Sequence, residues 1–419
     1  MKIRIISLNE LIYVLYFILM PILPEYFRLG DAPVFVFLGF LPMLLLLLKK
    51  KSGSYRINKA YMGQILPLLL LAIVCFVAHN EYSSLARYIM FPIVSSFIIM
   101  GTINTRDQVR DTFRILAYVG LVMCIFGLVE RLFKFNVFSL IENVEYGKTG
   151  TQPTYRNGIP RIEFSFGNPI SAAIYMLFVN CISFTLWRTE KDSITRKRIY
   201  IITYFLSLLA IVLTDSRMCI MSCVMMQGLF FMRERWNKKA AIIFCIFIAL
   251  LMDFTIGGVI TQLLSKYVGL VADILENGAK TSDTNTQYRF ALIPIFVPMI
   301  KEKFLFGYGN EFLNGYRFAI LEGYASSIDN MFIESFVRHG VFGFAITIIP
   351  IIKMFGFSRT LRRAGNEMGY NFACMVIAYL INLFSVAQLG EQRLFYIIWG
   401  LLLVLCEIEK KETIKGSLL

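Results

Sequence analysis

Charge is what this sequence has least of. Only 17% of its 419 residues are Asp, Glu, Lys or Arg, against 57% hydrophobic and 15% aromatic, whereas a soluble domain carries about a quarter charged residues. That scarcity excludes an ordinary soluble fold and puts the chain in a bilayer. Cysteine in polar surroundings is missing too. All eight (Cys75, Cys124, Cys181, Cys219, Cys223, Cys245, Cys374 and Cys406) fall inside apolar runs and none forms a C-x-x-C pair, so spacing indicates neither a disulfide framework nor a zinc site. Cys219 and Cys223 lie one helical turn apart, but no His or carboxylate joins them at ligand spacing, and they read as packing residues. An internal repeat, a Gly/Ser linker and a low-complexity tract are likewise absent, which leaves residues 1–419 as one integral membrane domain. The first apolar run, Ser7 to Pro24, follows Lys2 and Arg4 without an A-x-A cleavage site and is expected to be an uncleaved first span.

What is present is a series of apolar runs near the roughly 20 residues that cross a bilayer as a helix. The fold class expected is all-α, a polytopic transmembrane helix bundle of about 12 spans. The first six are placed at 7–24, 32–48, 61–78, 85–103, 113–133 and 166–187. The others fall at 200–214, 218–232, 240–257, 331–355, 371–387 and 394–406.

The balance of 42 Lys+Arg against 28 Asp+Glu, a net +14 with His neutral, is read by sidedness and not as a nucleic-acid surface. With the N-terminus in the cytoplasm, the basic connectors 49–59, 188–198, 233–239 and 358–363 all fall inside, as the positive-inside rule asks. Two long connections then face the periplasm, 134–163 and the larger 258–330, and loops of that length are uncommon unless functional or disordered. Within the second, Phe290 to Ile300 is too short to span, is flanked by charge, and is expected to form an interfacial or re-entrant helix.

Ionisable groups gather at the outer ends of spans: Arg87, Arg161 with Glu163, Asp215 with Arg217, Arg289, Asp329 with Glu334, Arg338 and His339, and Glu391 with Arg393. Charge at such positions marks a site more often than chance, because burying it in a bilayer costs about 3 kcal/mol on insertion scales. Asn168 and Pro169 suit the start of a helix, whose N-terminus beside Arg161 fits an anionic group such as phosphate, or simply a capped loop end. Asp215 and Arg217 form either a self-satisfied pair or, through Arg217, a fork for a diphosphate. Glu334 and Arg338, four apart, are placed to pair on one helix face. Asp329 and Asn330 are placed to cap that helix, Gly340 and Gly343 to admit a neighbouring helix, and His339 to pack.

Several short motifs, taken together, resemble the bacterial O-antigen polymerase family and, more distantly, the O-antigen ligases. They are R-I-E-F-S-F-G-N-P at 161–169, D-S-R at 215–217, Y-R-F at 288–290 with F-G-Y-G at 306–309, and S-x-D-N-x-F-I-E from Ser327 to Glu334 followed by G-x-x-G from Gly340 to Gly343. Ligases usually carry a histidine where this chain has Asp329 before Asn330, which favours the polymerases. The resemblance implies a glycosyltransferase of the inner membrane in lipopolysaccharide and O-antigen biosynthesis. It would move a growing polysaccharide from undecaprenyl diphosphate to a lipid-linked repeat unit at the periplasmic face.

Such a reaction needs a base for the attacking hydroxyl and a stabiliser for the departing diphosphate. Expected catalytic carboxylates are Asp329, Glu334 and Glu163; expected diphosphate- or substrate-binding groups are Arg161, Arg217, Arg289, Asn168, Asn330 and Arg338. Tyr288, Tyr308 and Tyr324 suit sugar stacking. No cofactor and no metal is expected, and the partners implied are undecaprenyl-diphosphate-linked glycan repeat units, membrane lipid and a chain-length-determinant protein, with no nucleic acid. The competing readings are an O-antigen ligase, a 12-span transporter or flippase of lipid-linked oligosaccharide with Asp253 as its coupling residue, and a membrane scaffold for other polysaccharide enzymes.

Overall fold

The computed structural model describes residues 8–24, 27–29, 32–51, 59–141, 154–156, 159–233, 294–310, 328–384, 386 and 392–417. The chain is mostly helical, and among the described residues the only strands are two-residue antiparallel ladders pairing Arg28–Leu29 with Ala32–Pro33 and Tyr155–Arg156 with Ile159–Pro160. Helices α1 (Leu8–Leu19), α2 (Val34–Leu38), α3 (Phe40–Lys51), α4 (Lys59–Val77) and α5 (Tyr82–Tyr88) come first. A wide turn at Ile89–Val94 around Pro92 then leads into α6 (Ser95–Thr102). Next come α7 (Arg106–Phe133), α8 (Pro169–Thr189), α9 (Ile194–Leu213) and α10 (Arg217–Arg233). A short helix α11 covers 294–302, followed by α12 (Met331–Arg363), α13 (Glu367–Leu383) and α14 (Gln392–Ser417). Among the described residues, α7, α8 and α12 are long and apolar enough to cross a membrane, and Tyr61–Val77, Pro92–Thr102 and Arg217–Met232 are shorter apolar helices. The expected span at 240–257 lies outside the described residues.

Local chemistry sets the helix starts. Thr105 and Gln108 form a reciprocal capping box at the head of α7. Asn168 Oδ1 accepts from the Ile170 N–H at 2.7 Å with Pro169 in the first turn of α8, so the helix begins three residues after the expected Phe166. Ser193 and Asn366 cap α9 and α13 in the same way.

Every residue of α8 from Ser171 to Leu186 is buried, as is α14 from Arg393 to Cys406; helices apolar all round belong at the centre of a bundle. Around that centre α9 packs on α7 and α8, α13 on α8, α10 and α12, and α14 on α6 and α12. Polar side chains fix the register. The Asn180 amide donates to Ser207 Oγ at 3.0 Å, Gln227 donates to Asn180 Oδ1 at 2.7 Å, and Asn382 donates to Ser222 Oγ at 2.6 Å, the kind of interhelical bond that holds apolar helices together.

The two ends of the bundle differ in what they carry. At one end the head of α7 meets the tails of α8 and α14: Arg106 pairs with Glu409 at 2.7 Å, and Arg114 and Arg110 reach the buried Glu190 at 3.0 and 3.4 Å. Burial would raise the Glu190 carboxyl, but the Asp192 backbone N–H and the two guanidinium groups outweigh it and hold the carboxyl below its ordinary value. At the other end lie the heads of α8, α10, α12 and α14 and the turns after α4, α7, α9 and α13, and there the described candidate site residues collect.

Candidate active site

Helix α12 is not continuous. His339 (φ −133°, ψ 17°) and Gly340 (φ 60°, ψ −152°) break it into a front segment, 331–338, and a long rear segment. The break frees backbone groups, and residues 304–308 satisfy them: the Val341 N–H donates to Phe304 O at 2.8 Å and the Tyr308 N–H to Val337 O at 2.9 Å. Two glycines make this contact possible. A Cβ on Gly340 would overlap the Leu305 carbonyl, and a Cβ on Gly307 (φ 70°) would sit 2.6 Å from the Arg338 carbonyl. The role expected of Gly340 and Gly343, admitting a neighbouring helix, is therefore corrected. The turn at 304–305 approaches Gly340, and what crowds Gly343 is His339 and the Ser335 carbonyl, from the front part of its own helix.

Side chains close over the same break. Glu81, in the turn between α4 and α5, has its carboxylate 2.8 Å from His339 Nε2. It also accepts from the Asn310 backbone N–H at 2.5 Å and from the Asn310 amide. Asn310 Oδ1 in turn accepts from Arg338 at 2.6 Å, and Arg338 pairs with Glu334, the expected i,i+4 contact. His79 donates to Phe306 O at 2.6 Å, and its ring lies 6.0 Å from that of His339. Burial pushes the Glu81 carboxyl up, but the His339 and Asn310 hydrogen bonds and the two nearby imidazoles outweigh it, leaving Glu81 below the ordinary carboxylate value.

The front segment is held at its head as well. Asn330 Oδ1 accepts from the Phe332 and Ile333 N–H groups, both at 3.0 Å, and its amide donates to Phe384 O at 3.2 Å, tying α12 to the end of α13. Asp329 is half-buried beside this cap. Helix α11, the expected interfacial element, buries Phe296 against Ile328 and Val337. Tyr308 donates to Glu302 at 2.7 Å with Lys303 over its ring, so this tyrosine is engaged within the loop.

A second group surrounds the α9–α10 turn. Arg161 Nε donates to Thr214 O at 2.8 Å, and Arg156 donates to Asp215 O at 2.9 Å while its Nε lies 3.5 Å from the Asp215 carboxylate. Asp215 thus takes Arg156, from outside the D-S-R turn, as an ion-pair partner. Burial and the neighbouring Arg156 pull the Arg161 guanidinium below its ordinary value, against the opposing pull of Asp215 and Glu163. Glu163 is buried and accepts from the Thr154 N–H at 3.1 Å. Glu130 of α7 receives the Glu163 and Phe164 N–H groups at 3.1 and 3.0 Å. Arg161, Glu163, Asn168 and the head of α10 with Arg217 thus form one corner, and Asp329, Asn330, Glu334 and Arg338 form another. Helix α13 joins them, through Asn382 to Ser222 of α10 and through Phe384 to Asn330. Arg289, Tyr288, Tyr324, Asp253 and Glu391 lie outside the described residues. Arg393 is buried and donates to the Met20 and Leu23 carbonyls at 3.3 and 2.6 Å, a structural role.

Glu81, His79, Asn310 and Arg156 were not among the expected site residues. A signal did exist for the first two: H-N-E at 79–81 interrupts an apolar run, and the chain has only two histidines.

A helical membrane-type bundle with a polar, charge-bearing cluster where its long loops attach is the class these features define. Residues 202–348, roughly a third of the chain, match the family model described as O-Antigen ligase. The match ends just beyond the break in α12, and it agrees with the resemblance to the O-antigen polymerases and ligases drawn from the motifs. Comparison with curated proteins finds no match.

Proposed function

We propose that the chain is a polysaccharide polymerase of the O-antigen type, a single membrane domain with both termini and its basic end in the cytoplasm and the α12 cluster facing the periplasm. The observation that carries this reading is Asp329, a half-buried carboxylate heading a capped helix segment at the same end of the bundle as Arg161 and Arg217. In the reaction, Asp329 accepts the proton of a sugar hydroxyl on the lipid-linked repeat unit as that oxygen bonds to the anomeric carbon of the growing glycan. The anomeric C–O bond to undecaprenyl diphosphate breaks, and the departing anion is met by guanidinium groups, for which Arg161, Arg217 and Arg289 are the choices. Glu334, already paired with Arg338, and Glu163, buried and hydrogen-bonded, stand behind Asp329 as bases. A chain-length-determinant protein is the natural partner of such an enzyme.

The description of the matched family favours a second reading, transfer of the finished glycan to a non-prenyl acceptor by a ligase. One assay separates them. Purified protein in nanodiscs is given the undecaprenyl-diphosphate-linked repeat unit alone or together with a lipid A–core acceptor. A ladder of products from the repeat unit alone supports polymerisation; product only when lipid A–core is added supports ligation. The absence of any new glycosidic bond, with movement of the intact lipid between leaflets, supports the transporter reading instead.

A further inference from the structure

The break in α12 is held by groups from two separate stretches of the chain, 76–81 and 304–310. Backbone pairing with 304–308 closes it on one side. On the other, one carboxylate, Glu81, serves His339 at the break, the backbone N–H and side-chain amide of Asn310 and, through Asn310, Arg338 in the last turn of the front segment. Phe76 adds an edge contact to the His339 ring with centroids 5.0 Å apart. Asn330 caps the far end of the same front segment, and Asp329 immediately precedes it. The orientation of 331–338, and with it the place of Asp329, is therefore fixed at one end by the Asn330–Phe384 bond and at the other by Glu81.

We propose that Glu81 is a positioning residue for glycan transfer, holding the α12 break closed so that the front segment presents Asp329 to the acceptor hydroxyl; this rests on the glycosyltransferase reading above. The hydrogen bonds set the terms of the test. In Glu81→Gln the oxygen that receives the Asn310 N–H survives, but the new amide NH2 faces the Asn310 NH2, donor against donor. In Asn310→Asp two carboxylates face each other. In the double variant E81Q/N310D the introduced glutamine amide donates to the introduced aspartate carboxylate, which also accepts from Arg338, and to His339 Nε2 in the tautomer that carries its proton on Nδ1.

The experiment measures two quantities on all four proteins in nanodiscs: hydrogen exchange at the Tyr308 and Val341 amides, and kcat and KM for transfer. Each single variant is expected to expose both amides and to lower kcat by on the order of 10- to 100-fold, the cost of misplacing a reacting group by about 1 Å, with KM changed by less than about twofold. The double variant is expected to recover most of both. Unchanged amide protection in E81Q, or loosened protection with wild-type kcat per folded molecule, overturns the proposal; so does a double variant worse than either single one. A wild-type protein that makes no glycosidic bond from any acceptor overturns the functional reading instead, and the exchange measurements still decide whether Glu81 holds the break.

Discussion

Replacing Gly340 with alanine tests the reading of the α12 break most directly. At φ 60° and ψ −152° the backbone occupies a region in which a side chain is strained by about 1–3 kcal/mol. The added Cβ would also overlap the Leu305 carbonyl and approach that of Phe304, so residues 304–305 must retreat. Retreat puts at risk the Val341 to Phe304 and Tyr308 to Val337 hydrogen bonds, each worth about 0.5–1.5 kcal/mol net. Together these give a destabilisation of about 2–6 kcal/mol. The same helix supplies the control: Gly356 has open space around its Cβ position and helical geometry, so Gly356→Ala is expected to stabilise by about 1 kcal/mol. Thermal unfolding of the two variants in one detergent, followed by near-UV circular dichroism, should therefore move their midpoints in opposite directions from wild type. A G340A midpoint equal to or above that of G356A would refute the argument, because it would mean that the break relaxes into regular helix without loss.

Acid should weaken the Glu81 contact. Its carboxyl is held below the ordinary value of 4.5, so its stabilising contribution is complete above that value and is lost as pH falls through the lower folded value; unfolding midpoints of wild type should drop more steeply below about pH 4.5 than those of E81Q. Truncating Arg393 to methionine removes the donors to the Met20 and Leu23 carbonyls at a buried site. The expected cost is about 2–5 kcal/mol, read as a lower thermal midpoint, with α1 the first element to lose hydrogen-exchange protection. Asp329→Asn should lower polymer formation by on the order of 10²-fold or more while leaving the thermal midpoint near wild type, as loss of a general base does; a scaffold would tolerate the change, and normal product ladders from this variant would remove Asp329 from the chemistry.

Much of this arrangement was legible in the residues, because it depends on neighbours in sequence. Asn168 before Pro169, Asn330 before Met331, and Glu334 four residues before Arg338 each announce a cap or a helical pair, and each forms as its spacing demands. What could not be read was whatever depends on two distant segments meeting. Glu81 and His339 are 258 positions apart, and nothing in either neighbourhood names the other. The docking of 304–308 into the break is a backbone contact, so its trace in the sequence is two glycines, Gly307 and Gly340, whose demand for close approach does not say what approaches. Arg156, remote in sequence from the D-S-R turn, reaches Asp215 unannounced for the same reason.

The length of α12 gives the break its physical setting. At 1.5 Å per residue, the 18 residues from Val341 to Ser358 extend about 27 Å, close to the roughly 30 Å of a bilayer's hydrocarbon core. The rear segment is thus sufficient as a span, and its end carries Arg359, Arg362 and Arg363, residues that favour the cytoplasmic boundary. The front segment is then surplus to crossing. Backbone that leaves helical geometry near the membrane is tolerated only where protein satisfies its polar groups, and residues 304–308 do so at the break. In the proposed orientation, a span that ends at Gly340 and continues as a short, separately anchored helix would carry Asp329 beyond the hydrocarbon, to the level where the diphosphate of the proposed prenyl-linked substrate would lie. An unbroken α12 would carry its head along the course of the rear segment, and its direction would be set by packing within the bilayer. The break lets the head of the helix be aimed independently, so that in the proposed reaction the groups that hold it would bear on the chemistry as well as on the fold.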